Sequence, residues 1–119
     1  MPISLEGVAF SLRAALEVIS EITPVRQLLA TGGGARSSVW LQILADVLQT
    51  ELITPSCCEG AALGAAILAM VGVGAYPNLE AAFGMLPQES FVVQPQVNPL
   101  YEAALKRYSL LYDALKVVR

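Results

Sequence analysis

The chain has 119 residues, of which 55% are apolar and 14% charged, so disorder is excluded and the length allows one modest core. A formal net charge of -3, from 7 Lys and Arg against 10 Asp and Glu, leaves no basic face for a nucleic acid. With no histidine, Ser-His-Asp and Cys-His catalysis are excluded within the chain, and the commonest neutral metal ligand is missing.

From Ile3 to Ile22, Leu5, Val8, Leu12, Ala15, Leu16 and Ile19 recur at spacings of three and four, the stripe of an amphipathic helix. Thr23-Pro24 ends it, because a proline bars the residue before it from the α conformation. The helix starts directly behind Met1 and Pro2, as though the chain were cut from a longer one, and no signal peptide is expected. Val25 to Thr31 reads as a short strand that runs into Gly32-Gly33-Gly34. Ser37 or Ser38 can cap the next helix, Val39 to Leu48, and Leu52 to Thr54 makes a second strand stopped by Pro55. Strand, glycine loop, helix and strand form a βαβ unit, which requires parallel strands and a right-handed crossover.

Cys57 and Cys58 are neighbours, and a vicinal disulfide is strained, so two thiols in a reducing cytoplasm are expected. No charge occurs from Gly60 to Leu79, which raises the question of a membrane span. The Ala and Gly content, Pro77, Asn78 and the acidic flanks Glu59 and Glu80 favour instead a buried core helix from about Gly60 to Val73. Asn78 caps a short helix, Leu79 to Phe83, and Phe91 to Val93 is an extended run. Asn98-Pro99 opens a last helix, with Leu100, Ala104, Tyr108 and Leu111 on one face and Tyr101, Leu105, Tyr112 and Leu115 on the next.

The segment Thr31-Gly32-Gly33-Gly34-Ala35-Arg36-Ser37-Ser38 carries the chemistry. Glycines let a ligand touch main chain, and a helix N-terminus offers N–H groups to a phosphate or another polar group. Open α/β sheets also bind ligands beyond the carboxyl ends of their strands. The pattern is neither GxGxxG nor a P-loop, so a bare glycine turn without a ligand is the alternative. Asp46 sits among apolar residues and reads as a hydrogen-bonded structural group. Neither cysteine has a base to activate it, and no catalytic or metal-binding residue is assigned.

Leu5-Glu6-Gly7-Val8-Ala9-Phe10-Ser11-Leu12-Arg13, then Gly32 to Ser37, Trp40 and Leu44-Ala45-Asp46-Val47-Leu48, resemble the C-terminal half of the FGGY carbohydrate kinases. Glu59-Gly60-Ala61-Ala62-Leu63-Gly64-Ala65-Ala66 continues the likeness in order, and Tyr101, Tyr108 and Tyr112 are similar to the family's closing helix. Within the family the nearest subgroup looks like xylulokinase.

The resemblance implies an α/β fold, helix-rich with two or three short strands. Residues 1–119 would then form a single partial domain of the ribonuclease-H-like type in the actin, hexokinase and Hsp70 superfamily. It implies ATP or ADP with Mg as cofactor of the full-length enzyme, neither being needed for this part to fold. It further implies transfer of the γ-phosphoryl group to an open-chain sugar, D-xylulose giving D-xylulose 5-phosphate. Gly32, Gly33, Gly34 and Ala35 would hold the adenosine end through main chain, with Ser38 beside adenine or ribose. The sugar and the catalytic aspartate would belong to an N-terminal domain outside this chain, leaving the part inactive by itself. A stand-alone nucleotide-binding or regulatory module is the alternative. A cytoplasmic homo-oligomer is expected, without nucleic-acid or membrane partners, since apolar surface left uncovered favours association.

Overall fold

In the computed structural model, which describes residues 3–56, 59–86 and 89–116, helix α1 (Ile3–Ile22) leads into strand β1 (Gln27–Leu29). A 3-10 turn (Gly33–Arg36) and helix α2 (Ser38–Leu48) connect β1 to strand β2 (Glu51–Pro55). Helices α3 (Gly60–Gly72) and α4 (Leu79–Gly84), strand β3 (Ser90–Val93) and helix α5 (Pro99–Lys116) follow. Every helix and strand lies within a few residues of its sequence-based expectation. Cys57 and Cys58, and with them the expectation of free thiols, lie outside the described residues, as does the side chain of Tyr112.

The three strands are ordered β1-β2-β3. Strands β1 and β2 are parallel, with Gln27 opposite Glu51 and Leu29 opposite Ile53, as a βαβ unit requires. Strand β3 returns antiparallel, with Leu52 opposite Val93 and Pro55 opposite Ser90. At the amino end of the parallel pair, the Glu51 carboxylate accepts from the side-chain amides of Gln27 and Gln94. These bonds, that to Gln27 first, hold the Glu51 carboxyl below the usual carboxylate range.

Two packed clusters form the core. Helix α2 lays Leu41, Ala45 and Leu48 on Leu52 of β2, together with Ala35 of the turn. On its other side, Ile43 and Val47 meet Ala9 and Phe10 of α1. Helix α5 closes this second cluster with Tyr101, Ala104, Leu105 and Tyr108. The Phe10 ring meets Tyr101 edge-on at 6.2 Å, with the planes at 78°. The Tyr101 hydroxyl donates to Glu6 Oε1 at 3.3 Å.

Helix ends are satisfied by identifiable partners. Ser37 Oγ accepts from Trp40 N at 3.2 Å, which decides between the two serines, and Asn78 Oδ1 accepts from Ala81 N at 2.8 Å. Arg13 Nη1 donates to the carbonyls of Val47 and Leu48, placing a cation at the negative end of α2. Asp46 is structural, as its sequence context implies. Its Oδ1 accepts from Gln42 Nε2 at 2.7 Å and from Gln96 N at 2.8 Å, pinning the β3–α5 connection to α2.

Two expectations need correction. Among the described residues of α1 the buried ones are Ala9 and Phe10, whereas Leu5, Val8, Leu12 and Ile19 stand exposed. Helices α2 and α5 cover the Ala9–Phe10 side, and Leu12, Ala15, Leu16 and Ile19 instead wall an open groove. Helix α3 is not a buried core helix, because Ile67 is its one buried residue among those described. A helix without a charged residue is normally covered on all sides. Here it packs chiefly on α4, and Leu68 and Val73 face outward. The radius of gyration is 18.3 Å. A compact domain of this length would have about 13.5 Å, so substantial apolar surface is left uncovered. Among the described residues, no helix is long and apolar enough to cross a membrane.

Candidate nucleotide site

The loops that leave β1 and β2 lie side by side, since the two strands are parallel neighbours. The first loop starts at Gly32, with φ 88 and ψ -173, a conformation nearly confined to glycine. That residue throws the chain into the 3-10 turn. Inside the turn Ala35 N donates to Gly32 O at 3.0 Å, and Ser37 N donates to Gly34 O at 3.1 Å. Gly33 and Gly34 are exposed, and as opening residues of a helical turn their N–H groups find no acceptor within it. A Cβ on Gly32 or Gly33 would meet nothing within 4 Å, so main chain here faces open space. At Gly34 a Cβ would come within 3.2 Å of Trp40 Cδ1 and Nε1.

Ala35 is buried in the core cluster and its N–H is engaged, so it anchors the turn from below. Ser38 is the exposed first residue of α2, one position past the capping Ser37. Gly33, Gly34 and Ser38 are thus exposed, whereas Ala35 is buried, and the Cα of Gly34 abuts the Trp40 ring.

Cavities lie on both faces of the sheet, and of Gly32, Gly33, Gly34, Ala35 and Ser38 only Gly34 and Ala35 line one of them. One, of about 430 Å³, runs between the open stripe of α1 and the β1–α2 side and includes Gly34, Trp40 and Leu44. The other, of about 620 Å³, lies between the opposite sheet face and helices α3 and α4, with Leu29, Thr31, Ile53, Ser56, Gly60 and Phe83 in its wall. Both volumes fall within the roughly 300–1,000 Å³ usual for ligand pockets.

Arg36, the last residue of the turn, forms an ion pair with Glu59, which precedes α3. This tie between the two loops carries no sequence signature, because the partners lie 23 positions apart. Trp40, the single tryptophan of the chain, is a second neighbour of the loop that sequence spacing assigned only to the helix stripe. No group of three or more His, Cys, Asp and Glu side chains among the described residues could hold a metal ion.

Comparison with known proteins gives a consistent result. Residues 4–73 match the FGGY family of carbohydrate kinases, C-terminal domain. The chain is 32% identical over 113 residues to the xylulose kinase of Bacillus subtilis, a match covering 94% of this chain and 22% of that protein. It is 38% identical over 114 residues to the L-xylulose/3-keto-L-gulonate kinase of Escherichia coli, covering 93% and 23%. Among solved structures, the xylulose kinase from Rhodospirillum rubrum superposes with a TM-score of 0.67 at 29% identity, over 96% of this chain and 24% of that one. The chain thus spans about a quarter of the length of the relatives it matches. An open glycine loop on a parallel βαβ unit, a matching family domain and kinase relatives agree, and the chain belongs to the FGGY family of carbohydrate kinases through that family's C-terminal domain.

Proposed function

We propose that this chain is the nucleotide-binding part of an ATP-dependent sugar kinase that converts D-xylulose to D-xylulose 5-phosphate in the cytoplasm. The observation that carries the reading is the open main chain of Gly33, beside the exposed Gly34, at the carboxyl end of a parallel strand, in a member of this kinase family. ATP fits there, because a polar ligand can approach N–H groups that the turn leaves without acceptors. Gly32 sets the chain direction, Ala35 holds the turn to the core, and Ser38 supplies a hydroxyl on the ligand side. Bound ATP supplies the phosphoryl group, and this chain orients the nucleotide by its adenosine end.

Mg does not fit this part of the site. The described residues offer no carboxylate cluster, and the acidic residue tied to the loop, Glu59, is engaged by Arg36. Phosphoryl transfer also needs a base beside the acceptor hydroxyl, and Asp46, Tyr101 and Tyr108 are held in packing or hydrogen bonds of the core. The sugar and the reacting groups therefore belong to the remainder of the enzyme. Calorimetric titration of the chain with ADP tests the binding role, with saturable binding at the loop as the expected result. Absence of binding up to millimolar ADP, with amide signals of Gly33 and Gly34 unmoved, leaves a plain glycine turn.

A homo-oligomer is the second element of the proposal. The uncharged α3 and the open stripe of α1 support it, since exposed apolar area of this extent favours self-association. Analytical ultracentrifugation is expected to give a dimer or larger species, and a monomer at high concentration refutes it.

A further inference from the structure

The Arg36–Glu59 ion pair belongs to none of the roles above, and its position is unusual. Arg36 ends the glycine turn, and Glu59 stands at the N-cap of α3. The pair therefore joins the loop after β1 to the loop after β2. Glu59 makes no side-chain capping bond to its own helix, so its carboxylate is committed across the gap to Arg36. The glycine loop needs such a hold. It contains three consecutive glycines, and its internal fixings are the two turn bonds and the buried methyl of Ala35. Glycine retains more conformational freedom than any other residue, and a loop that presents its main chain to a ligand pays for disorder in affinity.

We propose that Arg36 and Glu59 are positioning residues that clasp the glycine loop to the N-terminus of α3, holding Gly33 and Gly34 in the ligand-ready turn without touching the ligand. The affinity consequence rests on the nucleotide reading given above; the clasp itself does not. Both side chains are exposed, at 65% and 61%, so the effect is that of a surface pair: modest, and weakened by salt.

The test uses Arg36→Gln, Glu59→Gln, the double variant and the charge swap Arg36→Glu with Glu59→Arg. Two measurements are made on each: amide hydrogen exchange at Gly33 and Gly34 without ligand, and ADP affinity by calorimetry, with thermal unfolding as the fold control. Each single variant is expected to raise exchange at the two glycines and to weaken ADP binding by about one-and-a-half- to fivefold. The double variant is expected to be no worse than the worse single, and the swap to recover most of both losses. High salt should bring the native chain to the level of the single variants. The proposal is overturned if exchange at Gly33 and Gly34 is unchanged in the single variants. It is equally overturned if the swap fails to restore protection, or if Glu59→Gln tightens ADP binding, which would mean that Arg36 meets the ligand itself. If the native chain binds no ADP while glycine exchange still follows the pair, the nucleotide reading falls and the clasp stands.

Discussion

Replacing Gly33 with alanine separates what the loop does for folding from what it does for a ligand. The added methyl meets nothing within 4 Å, and the backbone there needs no positive φ, so the fold should absorb it within about 0.5 kcal/mol. The same methyl stands on the face where the nucleotide is proposed to meet main chain. Losing one hydrogen bond and close approach there should cost about 1.5–3 kcal/mol, or roughly ten- to a hundredfold in ADP affinity. Gly32→Ala is the opposite case. With φ 88 and ψ -173 it forces a side chain into a glycine-only region, costing about 1–3 kcal/mol of stability. At this chain length that corresponds to roughly 3–15 °C in Tm. Thermal unfolding followed by circular dichroism and calorimetric titration with ADP read the two axes separately. If Gly33→Ala bound ADP like the native chain, the exposed main chain at that position could not be the contact surface. If Gly32→Ala unfolded at the native temperature, the strain argument would be wrong.

Three further outcomes are expected. Thr54 is 3% exposed and its Oγ1 has no hydrogen-bond partner, so Thr54→Val, which removes a buried hydroxyl at nearly constant volume, should raise stability by about 1 kcal/mol in chemical denaturation. Burial, and the charge of Glu6 beside it, push the Tyr101 phenol above its ordinary value of 10.0. A raised folded value means stability present below the unfolded pKa and lost as pH rises through the folded one. The fall in Tm from about pH 9 to about pH 11 should therefore be smaller in Tyr101→Phe than in the native chain, and equal slopes would refute the coupling. Finally, Leu29→Lys places a charge on the exposed sheet face beside α3 and should shift the sedimentation profile toward monomer, whereas an unchanged profile would locate self-association elsewhere.

Local rules made much of this architecture readable in advance. Proline at 24, serine at 37, asparagine at 78 and the Asn98-Pro99 pair mark helix boundaries through bonds formed within a few residues, and such bonds depend little on distant packing. The glycine loop was equally visible, because strand, glycines and helix occur together in order. Long-range choices were not. Periodicity showed that α1 has an apolar stripe but not that α2 and α5 would settle on Ala9 and Phe10, a side with smaller hydrophobic signal and better complementarity. The antiparallel return of β3 depends on its pairing with β2, and the Arg36–Glu59 and Asp46–Gln96 contacts join residues 23 and 50 positions apart. Sequence spacing holds no trace of such ties.

The glutamate held between two glutamine amides gives the sheet an asymmetry along its strands. At that end all three strands are cross-braced by side chains, as a truss is at its footing. Toward the far end lie the consecutive glycines, main-chain bonds such as Ser56 N to Glu89 O, and the solvent-exposed Arg36–Glu59 pair. Thermal motion should therefore grow from the braced end toward the loops, so that an arriving molecule can adjust the tip of the fold while the strand alignment beneath it stays put.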